Sequence, residues 1–187
     1  MITTTQRLTL DEYLAYDGGS DRRCELVNGE LRPMSLRASK HGAMIKRLER
    51  IFDVEAERVQ KPWTALAGTV GLQSPRSDRW DTVRIPDVSV LTLEQWEALQ
   101  DREAVIRLLV VEIASESTKS ADYRAKRAEY SVLDIPEYWI VDPLAGKVTI
   151  HILLEGWYEA TEYQGQSVVQ SSILPELALA AETSLQG

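Results

Sequence analysis

Asp87, Glu112 and Lys126 are the residues of this chain whose types and surroundings suit chemistry, and that chemistry is the binding of a divalent metal. Glu112 stands inside Val105–Ala114, a near-continuous apolar run. Such a run marks a strand covered on both faces, and a carboxylate buried there is costly unless it is paired or metal-bound. The plain reading is a structural salt bridge. A second acid as its partner in the sheet argues for a cation instead, because two nearby carboxylates do not both ionise cheaply without one. Hard oxygen ligands suit Mg²⁺ or Mn²⁺. Asp87 follows Pro86 and enters the strand Asp-Val-Ser-Val-Leu; taken alone it is a strand-edge acid facing water. Lys126 has Asp122 four residues before it and Tyr130 four after, a spacing that puts all three on one helix face. By itself Asp122–Lys126 is a weak, solvated pair. Held over the end of the Glu112 strand, the ammonium could position a water or neutralise charge developing on phosphate.

The remaining polar candidates read more plainly. His41 opens a long helix and is by default a cap or a surface residue. Glu25 is a solvent-facing partner for Arg22 or Arg23, and His151, with no acid or histidine at metal spacing, is structural. There is no Gly-x-Ser-x-Gly elbow, no P-loop and no Gly-x-Gly-x-x-Gly. Cys24 is the single cysteine, so an intrachain disulfide and a cysteine-based zinc site are both excluded.

The elements that must position these residues follow from period and punctuation. Leu8 to Tyr16 predicts a short helix capped by Thr9 and Glu12 and stopped by Gly18-Gly19. Asn28-Gly29 between alternating segments predicts a hairpin. A helix is predicted from Ser39 to about Val59 on the spacing of Met44, Leu48, Ile51 and Phe52. Strands are predicted at 65–72, 84–91, 105–114, 136–141, 148–154, 157–163 and 167–172, with helices at 92–100 and 118–133 and a weak helix or coil at the end. The order is helix, hairpin, helix, then mixed strands, a helix and an antiparallel meander, in one domain over 1–187.

Composition sets the bounds. Hydrophobic residues make up 44% and charged residues 27%, an ordinary globular balance. No apolar run approaches the roughly 18 residues that cross a bilayer, and the first residues carry no signal-type stretch, so a soluble, cytoplasmic protein is expected. Net charge is −8, which on its face argues against a nucleic-acid binder. The charge is uneven, however. Residues 134–187 hold eight acids and one base, a net of −7, which leaves −1 for the first 133. Within those, Arg37, Lys40, Lys46, Arg47 and Arg50 face only Glu49, so one local surface suits phosphates.

Arg84–Val90 (Arg-Ile-Pro-Asp-Val-Ser-Val), Leu109–Thr118 (Leu-Val-Val-Glu-Ile-Ala-Ser-Glu-Ser-Thr), then Asp122, Lys126 and Tyr130, then Ile135–Pro143 (Ile-Pro-Glu-Tyr-Trp-Ile-Val-Asp-Pro) together resemble the Uma2, or DUF820, family of restriction endonuclease-like proteins. Glu25–Leu31 and His41 also fit its pattern. The family is similar to the PD-(D/E)xK nucleases. The resemblance implies an α/β (mixed α+β) restriction endonuclease-like core, a central mixed sheet flanked by helices. It implies Mg²⁺- or Mn²⁺-dependent hydrolysis of DNA phosphodiesters, with Asp87 and Glu112 as metal-binding catalytic acids. The superfamily lysine belongs two residues after the second acid, where this chain has Ala114. Some relatives carry Gln-x-x-x-Tyr on the next helix; here it reads Lys126-Arg-Ala-Glu-Tyr130, which makes Lys126 the replacement amine, with Tyr130 and Asp122 in support. The same relatives suggest His41 as a further metal ligand and Glu25 as a third acid. Many such folds work as dimers, so a homodimer is an expectation. The rival reading is a catalytically inactive module that binds protein or nucleic acid, to which the chain's five tryptophans would be suited; a ribonuclease is a third.

Overall fold

The protein is described by a computed structural model over residues 7–16, 23–34, 39–74, 81–100 and 108–187. Gly18-Gly19, Arg22, Arg37 and the first residues of the strand expected from Val105 lie outside the described residues. The chain forms two compact units, Met1–Leu36 with Val70–Ile85, and Arg37–Thr69 with Pro86–Gly187.

The first unit is built on a four-stranded antiparallel sheet, ordered β2-β1-β5-β4, from β1 (Cys24–Val27), β2 (Glu30–Pro33), β4 (Leu72–Ser74) and β5 (Thr82–Arg84). Asn28 and Gly29 both take positive φ, 51° and 80°, the requirement of a type I′ hairpin turn. A one-turn helix, α1 (Leu10–Leu14), precedes it; Thr9 and Glu12 close the expected capping box. Glu25, read from sequence as solvent-facing, is instead drawn inward. Its carboxylate accepts from Arg84 Nη1 at 3.0 Å and from the Ile85 backbone N–H at 3.1 Å.

The second unit holds a six-stranded mixed sheet, ordered β10-β9-β8-β7-β6-β3. Its strands are β3 (Trp63–Ala67), β6 (Val88–Thr92), β7 (Leu109–Ile113), β8 (Glu137–Asp142), β9 (Lys147–Leu154) and β10 (Trp157–Gln164). Only β7 and β8 run parallel. The strand expected over 65–72 is interrupted because Gly68, at φ 55°, turns the chain out of β3, and residues from Leu72 onward join the other sheet. The strand expected over 84–91 divides likewise at Pro86, which has no N–H to give to a ladder. Glu155-Gly156, at φ 51° and 83°, makes a second primed turn between β9 and β10. No strand forms over 167–172. Its backbone makes one isolated bridge, Val168 with Ala180, and then turns to a side chain of β8.

One face of this sheet is apolar. Val88, Val90, Leu109, Val111, Ile113, Trp139, Val141, Val148 and Ile150 pack beneath Met44, Ile45, Leu48 and Phe52 of α2 (Ser39–Arg58), and Phe52 meets Trp139 edge-on at 5.4 Å. The residues after β10, ending in α5 (Ala181–Ser184), complete that core through Val169, Leu174, Leu177 and Leu179. The opposite face carries Asp87, Ser89, Glu112, Tyr138 and His151 in alternate positions, all buried. The crossover from β7 to β8 carries a π-helical stretch at Ala121–Lys126 that runs on as α4 (Arg127–Val132). α3 (Leu93–Gln100) follows β6 directly. No helix among the described residues is long and apolar enough to cross a membrane.

Candidate functional site

The register of the sheet brings the two acids together. β6 and β7 pair antiparallel with Val88 opposite Val111. Extending that register by one residue sets Asp87 directly across from Glu112, and directly opposed side chains share a face with Cβ atoms about 4.5–5.5 Å apart. Asp87 stands just before β6, where its backbone carbonyl still accepts the Gly68 N–H at 3.0 Å. Its Oδ2 accepts the Ile113 backbone N–H at 2.9 Å. Its Oδ1 lies 3.2 Å from Nε2 of His41, which the first turn of α2 delivers to it.

Glu112 is held from the crossover. Lys126 Nζ lies 2.9 Å from Glu112 Oε2 and 3.0 Å from Asp122 Oδ1, with all three side chains almost fully buried. The Tyr130 hydroxyl donates to Glu112 Oε1 at 2.6 Å. Lys126 and Tyr130 therefore converge on one carboxylate, with Asp122 on the other side of Lys126, although Asp122 and Lys126 lie in a π turn rather than in a regular α-helix. The Tyr138 hydroxyl donates to the Asp122 carbonyl at 3.0 Å. A side chain inserted into the backbone ladder is a recognised cause of such local distortion, and π turns concentrate at functional sites. Tyr138 went unremarked in the sequence; strand alternation on β8 puts it on the Glu112 face. It packs edge-on against Tyr130 at 5.0 Å and stacks on His151 at 5.3 Å.

Among the described residues, the buried acids Asp87, Glu112 and Asp122 lie around one buried lysine, Lys126. Burial pushes the Glu112 carboxyl up to about 8. Lys126 pulls it down, while the Asp87 and Asp122 charges push it up. Burial raises Asp122 as well, again against the pull of Lys126. Asp122 forms a close ion pair with Lys126, and Thr118 and Lys126 partly offset the effect of its burial. His151 goes the other way. Burial lowers it to about 4, so at neutral pH it is uncharged, Nδ1 paired with the Tyr138 carbonyl at 3.2 Å, in keeping with a structural role.

These features fit a small hard cation better than a soft one. Two opposed carboxylates are typical of Mg²⁺, which takes one or two acids and completes its shell with water and substrate phosphate. Among the described residues no group of three or more His, Cys, Asp or Glu is arranged to hold an ion, so an all-protein cage of the structural zinc kind does not fit. The unbalanced negative charge around Asp122 and Glu112 is what such a cation would offset. Of the residues singled out from sequence, Asp87, Glu112, Asp122, Lys126, Tyr130 and His41 come together in one unit. Glu25 belongs to the other, engaged with Arg84 and Ile85.

The Uma2 family, described as "Putative restriction endonuclease", matches residues 10–182. Among curated proteins none matches. Five chains of solved structures match. One is described as "a putative nuclease belonging to DUF820", from Anabaena variabilis; it shares 17% identity, superposes with a TM-score of 0.73, and the alignment covers 95% of this chain and 97% of that one. At that identity the likeness is one of fold.

Proposed function

Since the chain belongs to the Uma2 family, with a nuclease-like role, we propose that it is a metal-dependent nuclease hydrolysing DNA phosphodiester bonds, with Asp87 and Glu112 as metal-binding acids and Lys126 as the catalytic amine. The observation that carries this reading is the buried pairing of two strand acids on one sheet face with a lysine ammonium 2.9 Å from one of them. Bound Mg²⁺ or Mn²⁺ would supply Lewis acidity toward a phosphoryl oxygen and a more acidic water. The chain's own residues do the rest. Asp87 is oriented by the Ile113 N–H and by His41. Tyr130 fixes the rotation of the Glu112 carboxyl. Lys126, at the end of the π-helical stretch and screened from solvent, presents a positive charge where a phosphate would gain negative charge, and a dry site strengthens that interaction. It stands in for the amine that Ala114 does not supply.

The test has two arms. Mn²⁺ raises the melting temperature of the wild type and not of Asp87→Asn, because only a state that binds the ion is stabilised by it. Mn²⁺-dependent nicking of supercoiled plasmid is lost in Lys126→Ala. A protein that takes up no ion and cuts no DNA would instead support the second reading, an inactive nuclease-fold module. One observation favours that alternative: each oxygen of Asp87 and Glu112 already has a partner within the protein.

A further inference from the structure

The acids of α2 do not face water alongside its bases. Glu49 Oε1 accepts the Ala67 N–H at 3.0 Å and Asp53 Oδ1 accepts the Ala65 N–H at 2.8 Å. β3 is an edge strand of the large sheet, and these two carboxylates cap N–H groups it would otherwise present unpaired. With both acids turned to the sheet, the outer face of the helix from residue 40 to 50 carries Lys40, Lys46, Arg47 and Arg50, all exposed. None of the four stands in an ion pair among the described residues. At 1.5 Å per residue the stripe is about 15 Å long, on a chain whose net charge is −8. Its start adjoins the acid pair: one residue after Lys40, His41 turns to the buried side of α2 and reaches Asp87. At the far edge of the same sheet, β10 exposes Glu159 and Glu162.

We propose that this face of α2 is the docking track for the sugar-phosphate backbone of the DNA duplex, leading it to the Asp87–Glu112 site. The inference rests on the nuclease reading and adds the surface that binds. Four cations confined to one helix face, with the neighbouring acids internally engaged, are complementary to a polyanion carrying one charge per about 1.7 Å of axis. Contacts from lysine and arginine to phosphate hold register without reading bases, so the track is tolerant of sequence.

The experiment uses the full chain carrying Glu112→Gln, so that DNA is bound and not cut, and follows fluorescence anisotropy of two labelled duplexes of unrelated sequence across a salt series. Both duplexes bind alike. Adding Arg47→Gln with Arg50→Gln reduces the slope of log K against log salt by about 2 and weakens binding more than tenfold at about 0.1 M salt, with the melting temperature unchanged. Binding with an unaltered slope in the triple variant overturns the track and leaves the nuclease reading standing. No binding by the Glu112→Gln chain overturns both. If the arginine changes instead convert a salt-sensitive dimer to monomer with DNA affinity intact, the stripe is a contact between copies and the proposal fails.

Discussion

Glu112 and Glu137 are buried glutamates on adjacent strands of the same sheet, and they point to opposite faces. Glu137, on the apolar face, accepts five hydrogen bonds: from Trp139 Nε1, the Ser171 hydroxyl, the Ser172 N–H and hydroxyl, and the Ile173 N–H. All come from neutral donors, and they tie the segment after β10 to the sheet. Glu112, on the polar face, has one hydroxyl and one ammonium, and two other acids in its field. The first environment is complete without any further group. The second is short of positive charge. Burial alone therefore does not mark a functional acid; the balance of its partners does.

The largest expected effects separate the two. Glu137→Ala strands several buried donors and unfastens the 171–173 segment, at a cost of about 3 kcal/mol or more in urea denaturation. Glu112→Gln keeps the volume of a carboxyl that burial holds protonated near neutral pH and leaves Lys126 paired with Asp122, so it leaves stability within about 1 kcal/mol of the wild type while abolishing Mn²⁺-dependent nicking. A Glu112→Gln protein as damaged as Glu137→Ala would erase the distinction.

A pH series probes the same contrast more finely. The folded-state value of Glu112, about 8, lies above the ordinary 4.5. Between those values the folded protein keeps a proton that the unfolded chain has released. The contribution of Glu112 is thus complete below the ordinary value and is lost as pH rises through the folded one. Metal-free wild type should lose stability from about pH 5 to about pH 8 relative to Glu112→Gln. Asp122 is raised too, so the variant lessens the decline rather than abolishing it. Mn²⁺ should offset the loss, since its ligands must be deprotonated. His151 has the opposite sign: its folded value is about 4 against an ordinary 6.5. Its contribution is complete above the ordinary value and lost as pH falls through the folded one, so His151→Gln should flatten the acid arm. A wild type whose stability rises from mildly acidic to mildly basic pH without metal would contradict the Glu112 assignment.

Much of this was legible in sequence because it is written locally. The Asn28-Gly29 turn, the period of α2 and the apolar run around Glu112 each need only a few neighbouring residues. Asp122, Lys126 and Tyr130 were readable as one helix face, and the family resemblance directed them to Glu112. What sequence left hidden is long-range. Glu137 finds its partners 34 to 36 residues downstream, mostly through backbone and serine groups that have no distinctive pattern. For the same reason 167–172 resembled a strand. Glu25 meets Arg84 across 59 residues, not a neighbouring arginine. The π turn, whose Asp122 carbonyl meets the Tyr138 hydroxyl, is not revealed by spacing along the helix.

The smallest effect is the most discriminating. Tyr130→Phe removes one donor from Glu112 and keeps the ring against Tyr138; Ser171→Ala removes one donor from Glu137. Tyr130→Phe loses one buried hydrogen bond and costs about 1 kcal/mol; Ser171→Ala loses two, since its hydroxyl also accepts the Leu174 N–H at 2.9 Å, and costs about 2 kcal/mol. The two should part company on adding Mn²⁺. At Glu112 the ion supplies positive charge to the oxygen that the phenol has left, so the melting-temperature deficit of Tyr130→Phe narrows. At Glu137 no site for an ion exists among donors that are all N–H and O–H, and the deficit of Ser171→Ala persists. Equal responses of the two variants to Mn²⁺ would mean that the polar face is only another self-satisfied core, and the case for a metal at Asp87 and Glu112 would lose its physical basis.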